Sequence, residues 1–151
     1  METNSPDPRI IRFIRKHHVM TIATCSDGQP WCANMFYAYD DASGFLVFTS
    51  DAHTRHVAEI VANGKAAGSI VLETKVVGRL QGLQLSGTIR KPAQHEEGSM
   101  RKAYLTRFPY AAMADLNLWI FAPDYLKYTD NTLGFGKKLF WEKEKGETKK
   151  A

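Results

Sequence analysis

The sequence is poor in cysteine and has no long apolar run. Its two cysteines, Cys25 and Cys32, form no C-x-x-C pair, and no histidine lies at metal-ligand spacing from either of them. We therefore expect no metal site and two free thiols, with a disulfide across the turn between them as the alternative. No stretch approaches the ~20 apolar residues of a membrane span, and the start, M-E-T-N-S-P-D-P, lacks the apolar core of a signal peptide. These absences predict a cytoplasmic protein with no membrane contact.

A modest excess of basic residues gives the chain a formal net charge of +4, which permits contact with nucleic acid. Much of the excess lies in Lys137, Lys138 and the mixed-charge end, and we expect residues 143–151 to form a flexible tail. A nucleic-acid-binding barrel would interleave aromatic residues with Lys and Arg on one sheet face. Most aromatic residues here have no cationic neighbour in their strand, so we expect no nucleic-acid partner.

Short apolar runs separated by turn residues predict a mainly β fold in one domain, 1–151. The chain is 44% hydrophobic and 24% charged, as globular domains are. Seven or eight strands are predicted, over 19–25, 31–39, 45–49, 66–73, 82–91, 118–121, 125–129 and 138–142. Helices are predicted over 8–16, 54–63 and 95–107. Because most strands neighbour their partners in sequence, we expect an antiparallel barrel, closed or nearly closed, with flanking helices.

The corner between the third strand and the second helix, V-F-T-S-D-A-H-T-R-H-V-A-E-I (47–60), is rich in groups that bind anions. A helix N-terminus offers free backbone N–H groups and a partial positive charge. Arg55 can hold two phosphate oxygens at once, Ser50 and Thr54 can donate hydroxyls, and His56 can add a donor. The alternative is an ordinary capped helix, with Ser50 or Asp51 as the cap. The charge of Asp51 counts against an anion unless its side chain points away.

The order T-I-A-T, D-G-Q-P-W, a strand ending F-T and a helix opening T-R-H resembles the pyridoxamine-phosphate-oxidase-like FMN-binding split barrels. The resemblance covers about 10–142. It is closer still to an uncharacterised bacterial branch, the YhbP-like proteins, which share four longer motifs. These motifs are W-C-A-N-x-F-Y, T-R-H, R-K-A-Y-x-x-R-F-P and T-D-N-T-L-G-F-G-K-K, at 31–37, 54–56, 101–109 and 129–138.

The resemblance implies a six-stranded split β-barrel of the FMN-binding type, with flanking helices, that forms a homodimer with FMN at the interface. By resemblance, Thr54 and Arg55 hold the FMN phosphate, and His56 stands where the family usually has lysine. The remaining cofactor-binding positions implied are Asn34, Met35, Phe48, Thr49, Gln84, Trp119 and Phe121. For Met35, Trp119 and Phe121 the alternative is core or interface packing, and Trp31 is expected to pack rather than to bind.

One motif of the family is broken. Where the vitamin B6 oxidase reads R-L-H-D-R, this chain reads K-Y-T-D-N over 127–131, so both arginines and the histidine are missing. We therefore do not predict oxidation of pyridoxamine phosphate, although Lys127 could still meet an anion. The following glycine-rich stretch could close over a ligand as a small loop. Its alternative is a tight turn that leads into the last strand, with Lys137 and Lys138 in water.

The leading hypothesis is an FMN-dependent oxidoreductase of unknown substrate. No nucleophile or acid–base pair is recognisable, and a flavin enzyme requires none, because the flavin carries the hydride chemistry itself. The alternative is a flavin- or haem-binding sensor or carrier without turnover, in which a histidine could ligate haem; the candidates are His17, His18, His53 and His56. A deazaflavin in place of FMN is a variant of the same class.

Overall fold

Seven strands form one antiparallel sheet with three α-helices around it. The computed structural model describes residues 4–145, so most of the predicted tail, 143–151, lies outside the described residues. The strands are β1 (Val19–Ser26), β2 (Gln29–Asp40), β3 (Phe45–Thr49), β4 (Lys65–Val71), β5 (Gln81–Arg90), β6 (Leu118–Asp130) and β7 (Lys138–Glu142). The helices are α1 (Pro8–Lys16), α2 (Arg55–Ala62) and α3 (Gln94–Arg107), and short 3-10 turns cover Val77–Arg79, Pro109–Met113 and Asn131–Leu133.

The sheet closes into a barrel because β3 pairs with β6. The ring runs β3-β2-β1-β4-β5-β6, and β7 adds a seventh strand to β6. One edge of β6 is shared, since its first part, 118–121, pairs with β3 and its later part, 125–129, pairs with β7. The barrel is split between these two pairings. The predicted six-stranded split barrel is therefore confirmed.

The prediction of separate strands over 118–121 and 125–129 is wrong, because β6 continues through Pro123. A proline removes a ladder donor, and sheets tolerate it at edges and bulges. Here β5 is bulged between Ser86 and Gly87, which places Gly87 opposite Pro123. A Cβ on Gly87 would lie 2.1 Å from the carbonyl oxygen of Ala122. Only a glycine allows the two backbones to approach this closely.

The barrel core comes from the inward side chains of the strands, and α1 packs against it. Phe48, Phe121 and Tyr37 are among the largest fully buried side chains. α1 adds Ile10 and Ile14 to the same cluster, because apolar residues near helical spacing give the helix one apolar face. Its predicted bounds, 8–16, match the structure.

Helix α3 lies outside the barrel and positions the segment that follows it. Met100 and Tyr104 pack with residues of β2, β3 and β6 in a second cluster. At the start of α3, the Arg90 guanidinium and the Ala93 amide both donate to Glu96, and they lower the pKa of Glu96 to about 2. At its end, the Arg107 guanidinium donates to the Tyr37 carbonyl at 3.2 Å. The segment that follows α3, 108–117, is held beside the end of β3 by two hydrogen bonds between Ser50 and Asn117.

Candidate functional site

The corner between β3 and α2 is built by hydrogen bonds within the chain itself. Thr54 is the N-cap of α2: its hydroxyl accepts from the Val57 N–H at 3.3 Å and donates to the Asp51 carbonyl at 2.9 Å. The Asp51 carboxylate accepts from the His53 N–H at 2.8 Å and so closes the preceding turn. The helix is capped, as the alternative interpretation held, but the cap is Thr54 and not Ser50 or Asp51. The predicted helix 54–63 runs from 55 to 62 because Thr54 stands outside it as the cap.

Arg55, the first residue of α2, is held in place on two sides. Its guanidinium carbon lies 4.2 Å from the ring centroid of Trp31 in β2. Its Nε donates to Glu59 Oε1 at 3.4 Å, one turn along the helix. The Arg55 side chain remains 51% exposed. Because Nε faces Glu59, the edge formed by the two terminal nitrogens is left to receive a ligand.

Glu59 is an anchor that our sequence analysis missed. It is only 7% exposed, and its Oε2 accepts from the Thr24 hydroxyl at 2.6 Å. A buried carboxylate needs hydrogen bonds and a cation, and Thr24 and Arg55 supply them. The i, i+4 spacing of Arg55 and Glu59 in a predicted helix was the available signal. Trp31 was expected only to pack, and its contact with Arg55 has no local sequence signal.

His56 lies on the other side of the corner, among hydroxyls. Its Nε2 is 2.5 Å from the Ser50 Oγ and 3.3 Å from the Thr54 Oγ1. Burial lowers the pKa of His56, and the nearby Glu59 carboxylate opposes that shift. The imidazole is therefore neutral near neutral pH, and it does not replace the permanent charge of a lysine.

Next to His56 lies an open depression that carries negative charge. It is lined mainly by Thr49, Ser50, Asp51, His53, Asp115 and Asn117. Two of these residues are exposed carboxylates, and the Lys91 ammonium, which donates to the Asn117 side chain at the edge of the depression, offsets one of the two charges. The Thr49 hydroxyl donates to that of Tyr104 at 3.3 Å. An anion is disfavoured here, so the side of the corner suited to phosphate is the one that Arg55 and Trp31 form.

The outer face of the sheet carries a row of polar side chains. Residues paired across antiparallel strands share a face, so the register aligns Asn34, Thr21, Ser69, Gln84 and Lys127 from β2 to β6. The Thr21 hydroxyl donates to the Asn34 side-chain oxygen at 2.6 Å. Within the described residues Lys127 has no ion-pair partner. The predicted site residues Asn34 and Gln84 are both exposed in this row, on two strands that are not neighbours.

The same face also exposes large apolar side chains on both sides of the polar row. Val19, Phe36 and Val71 are 46%, 57% and 58% exposed, and Phe140 is 59% exposed. An exposed apolar surface of this kind typically marks a contact with another molecule. The outer face is therefore a candidate interface as well as a candidate ligand surface.

Four predicted site residues have their side chains inside the barrel. Phe48 and Phe121 are fully buried, and Met35 and Trp119 are 8% and 6% exposed in the same core cluster. This is the packing alternative described above. The Trp119 Nε1 is buried without a hydrogen-bond partner, and the Lys91 ammonium lies 4.9 Å from its ring centroid.

The remaining chemistry-bearing residues form no further centre within residues 4–145. Over that range no group of three or more His, Cys, Asp or Glu side chains could hold a metal ion. No helix there is long and apolar enough to cross a membrane. Cys25 and Cys32 are both free thiols.

Comparison with known proteins agrees with this fold. Residues 6–130 match the family described as pyridoxamine 5'-phosphate oxidase. A UPF0306 protein of Klebsiella pneumoniae (strain 342) is 42% identical over 135 residues, which are 89% of this chain and 92% of the relative. UPF0306 protein YhbP of Salmonella paratyphi C is 42% identical over 130 residues, covering 86% of this chain and 88% of the relative.

Three solved structures share the fold at low sequence identity. A heme-binding protein from Mycobacterium smegmatis has a TM-score of 0.73 at 19% identity, over 91% of this chain and 60% of its own. An FAD-binding protein from Mesorhizobium loti has a TM-score of 0.63 at 13% identity, over 78% and 89% of the two chains. The heme storage protein HutZ from Vibrio cholerae has a TM-score of 0.62 at 15% identity, over 78% and 89%. The family match and the relatives at 42% identity show that the chain belongs to the pyridoxamine 5'-phosphate oxidase family, in its UPF0306 or YhbP-type branch.

Proposed function

We propose that this protein binds FMN and is an FMN-dependent oxidoreductase whose substrate is not pyridoxamine phosphate. The observation that carries the proposal is the placement of Arg55. Its guanidinium lies 4.2 Å from the Trp31 ring, is anchored through Nε by Glu59, and stays half exposed at the start of α2. A preorganised, partly exposed cation of this kind has the geometry for a terminal phosphate.

The helix N-terminus adds to this fit. The first N–H groups of an α-helix have no acceptor within the helix, and the helix dipole gives them partial positive charge. The backbone N–H of Arg55 is itself one of these groups, because Arg55 is the first residue of α2. The Thr54 hydroxyl is already committed to the cap, so it supports the phosphate by fixing the helix start rather than by donating its own proton.

The polar row on the outer face suits the ring of a flavin. A planar ring can lie across neighbouring strands of the barrel, and the outer face offers amides and hydroxyls in Asn34, Thr21, Ser69 and Gln84. Lys127 supplies a positive charge at the β6 end of the row. When bound, a flavin accepts and returns a hydride, and the protein binds, orients and tunes it. The side chains of this face would orient the ring and hold its polar edge.

The proposed active unit is a homodimer with FMN at the interface. The apolar residues of the outer face, among them Phe36, Val71 and Phe140, need a partner surface. Two such faces packed against each other would exclude water from the ring and so limit side reactions of the reduced flavin. The missing arginines and histidine of K-Y-T-D-N support a substrate other than pyridoxamine phosphate.

The test is a visible absorption spectrum of the purified protein, followed by titration of the apo form with FMN and with riboflavin. Riboflavin lacks the phosphate, so it is the matched control ligand. We expect flavin fluorescence to be quenched at micromolar FMN and riboflavin to bind roughly tenfold or more weakly, the value of one charge-assisted contact. Equal affinities for FMN and riboflavin would overturn the proposal that the Arg55 corner binds the phosphate. A haem Soret band with no FMN binding would replace the proposal with a haem-binding function, as in the M. smegmatis and V. cholerae neighbours.

A further inference from the structure

Two loops at one end of the barrel form a single braced unit that we call the double loop. It consists of residues 72–80, between β4 and β5, and residues 131–137, between β6 and β7. The Asn131 side chain donates to the Val77 carbonyl at 2.8 Å, and the Asn131 N–H donates to the Leu80 carbonyl at 3.0 Å. The Asn131 side-chain oxygen accepts from the Gly136 N–H at 3.0 Å. One asparagine therefore ties both loops together.

The second loop is held rigid and still presents an aromatic ring to solvent. The Asp130 carboxylate accepts from the Thr132 N–H at 2.9 Å and from the Thr132 hydroxyl at 2.6 Å. Gly134 and Gly136 have φ of 136° and 73°, and the residue between them, Phe135, is 86% exposed. A flexible loop could fold this ring away from water, whereas a braced loop keeps it out. The conformation of the loop therefore fixes Phe135 on the surface.

The double loop combines an apolar patch with positive charge. Val77 and Leu133 are 63% and 43% exposed beside Phe135, and further exposed apolar residues are Val76 and Leu80. Its exposed charged residues are Lys75, Arg79, Lys137 and a single acid, Glu73, and the exposed Lys138 follows it as the first residue of β7. Single exposed apolar residues are normal on a surface, but a clustered patch on a rigid support typically marks a docking site. The partner should therefore be apolar and acidic.

A surface of that chemistry exists on the same chain, at the opposite end of the strands. The depression beside His56 has the exposed carboxylates Asp51 and Asp115. Next to it, the 109–113 turn exposes Tyr110 by 82% and Met113 by 93%. We call this surface the acidic end. It pairs apolar side chains with negative charge, as the double loop pairs them with positive charge.

A two-fold axis that runs across the strands would bring these two surfaces together. In a two-fold dimer, surface X of one copy meets surface Y of the other, and the same contact forms a second time. The double loop and the acidic end lie at opposite ends of the strands, on either side of the exposed outer face. Packing two outer faces together with the axis across the strands places each double loop against the acidic end of its partner.

We propose that the double loop docks on the acidic end of a second copy of this chain, with Phe135 between Tyr110 and Met113 of the partner subunit and Lys137 and Lys138 facing Asp51 and Asp115 of the partner subunit. Phe135 then closes one side of the corner that carries Arg55 in the partner subunit. This inference rests on the proposed function in one respect only, namely that the ligand covered at the Arg55 corner is a flavin. The docking itself depends on the two surfaces alone.

The test is a charge swap measured by sedimentation of the full chain down to nanomolar concentration. Lys137→Glu and Asp115→Lys should each weaken the dimer about tenfold or more, because each places like charges together. The combined variant should recover most of the lost affinity. Phe135→Ser should weaken the dimer without recovery by any charge change. Arg12→Glu, an equal charge reversal on the exposed side of α1, should leave the dimer unchanged. The three mutated positions 115, 135 and 137 are exposed, so thermal unfolding should stay close to that of the wild type.

The outcomes distinguish failure of the proposed docking from failure of the proposed flavin binding. A monomer at every concentration, or a dimer that neither Lys137→Glu nor Phe135→Ser weakens, overturns the docking. Single variants that weaken the dimer without recovery in the combined variant overturn the pairing of the two surfaces. FMN titration of the same proteins tests the proposed function independently. If the charge-swap variants behave as expected but the dimer does not bind FMN, the docking is supported and the flavin-binding proposal is overturned. If the dimer binds FMN but none of the variants weakens it, the flavin-binding proposal is supported and the docking is overturned.

Discussion

The guanidinium of Arg55 lies over the ring of Trp31, with 4.2 Å between the guanidinium carbon and the ring centroid. The two residues come from the first turn of α2 and the start of β2, and tertiary folding alone brings them together. A cation over an indole ring keeps its plane fixed while its nitrogens stay available. Trp31 and Glu59 therefore both orient the Arg55 guanidinium in the absence of a ligand.

The first prediction concerns Arg55 itself. Arg55→Ala should weaken FMN binding by roughly 1.5–3 kcal/mol, about tenfold to a hundredfold, because a charge-assisted bidentate contact is lost. Fluorescence quenching titration measures the effect. Arg101→Ala is the matched control, since Arg101 also pairs with a glutamate four residues away, Glu97 at 3.8 Å, but lies on α3. Equal FMN affinity of wild type and Arg55→Ala, in a folded protein, would falsify the phosphate corner.

The sequence predicted which residues form the corner but not how they are used. Thr54, Arg55 and His56 lie together as expected, because consecutive residues in a helix start stay together in any fold. That the Thr54 hydroxyl is the cap, and not a free donor, depends on the turn that Asp51 makes. The platform formed by Trp31 depends on strand pairing. The local sequence pattern predicts neither the role of the Thr54 hydroxyl nor the contact between Trp31 and Arg55, because both depend on tertiary structure.

The second prediction concerns the buried anchor beneath the corner. Thr24→Val keeps the shape of the side chain but removes the hydroxyl that donates to Glu59 Oε2 at 2.6 Å. A buried carboxylate that loses a donor should reduce the free energy of unfolding by about 1–3 kcal/mol. Urea unfolding measures this loss. Thr88→Val in β5, where the side chain is exposed, is the control and should change the free energy of unfolding by less than about 0.5 kcal/mol.

The fold was predictable where local pattern decides it. The alternation of Leu83, Leu85 and Ile89 in β5 gives buried positions, as period-two patterning implies. Pro123 misled the strand prediction, since a proline usually ends a strand. Its acceptance in β6 depends on the bulge at Gly87 in the neighbouring strand. A pairing of that kind, between residues far apart in sequence, is not visible in either segment alone.

The third prediction compares a glycine at this bulge with a glycine in α3. In Gly87→Ala the new Cβ would lie 2.1 Å from the Ala122 carbonyl oxygen, so the paired backbones must separate. We expect a loss of about 3 kcal/mol or more in the free energy of unfolding. Gly98→Ala in α3 is the contrast, because its Cβ would meet nothing within 4 Å. It should stabilise the protein by about 0.5–1 kcal/mol, as alanine does in a helix. A small loss for Gly87→Ala would show that the bulge can relax.

The fourth prediction concerns the residue that stands where the family usually has lysine. Burial keeps the pKa of His56 below its usual value, so the imidazole is neutral at about pH 8 and adds no charge to the corner. His56→Lys should change FMN affinity by less than about threefold, because position 56 faces the acidic depression and not the side of the corner that Arg55 and Trp31 form. His56→Gln should bind FMN as the wild type does at that pH. If His56→Gln loses as much affinity as Arg55→Ala, the neutral imidazole is itself a required ligand.

The last prediction is a loss of stability in weak acid that comes from histidines. Burial lowers the pKa of His17, with smaller contributions from the charges of Lys16, His18 and Arg107, and burial also lowers that of His56. A histidine whose pKa is lowered on folding binds more protons in the unfolded chain. Its contribution to stability is complete above the unfolded pKa, about 6.5, and is lost as the pH falls through that value.

The acidic groups act in a separate pH window, which makes this loss measurable. The pKa of Glu96 is lowered to about 2 by Arg90, so its contribution is present above about pH 4.3 and is lost only below it. Between about pH 7.5 and 5.5 the decline in the free energy of unfolding should therefore come from the two partly buried histidines, His17 and His56. Urea unfolding of the FMN-free protein at both pH values should show the decline in the wild type. His17→Leu should reduce it, and His17→Leu with His56→Leu should reduce it further. An unchanged decline in the double variant would place its source outside these two imidazoles.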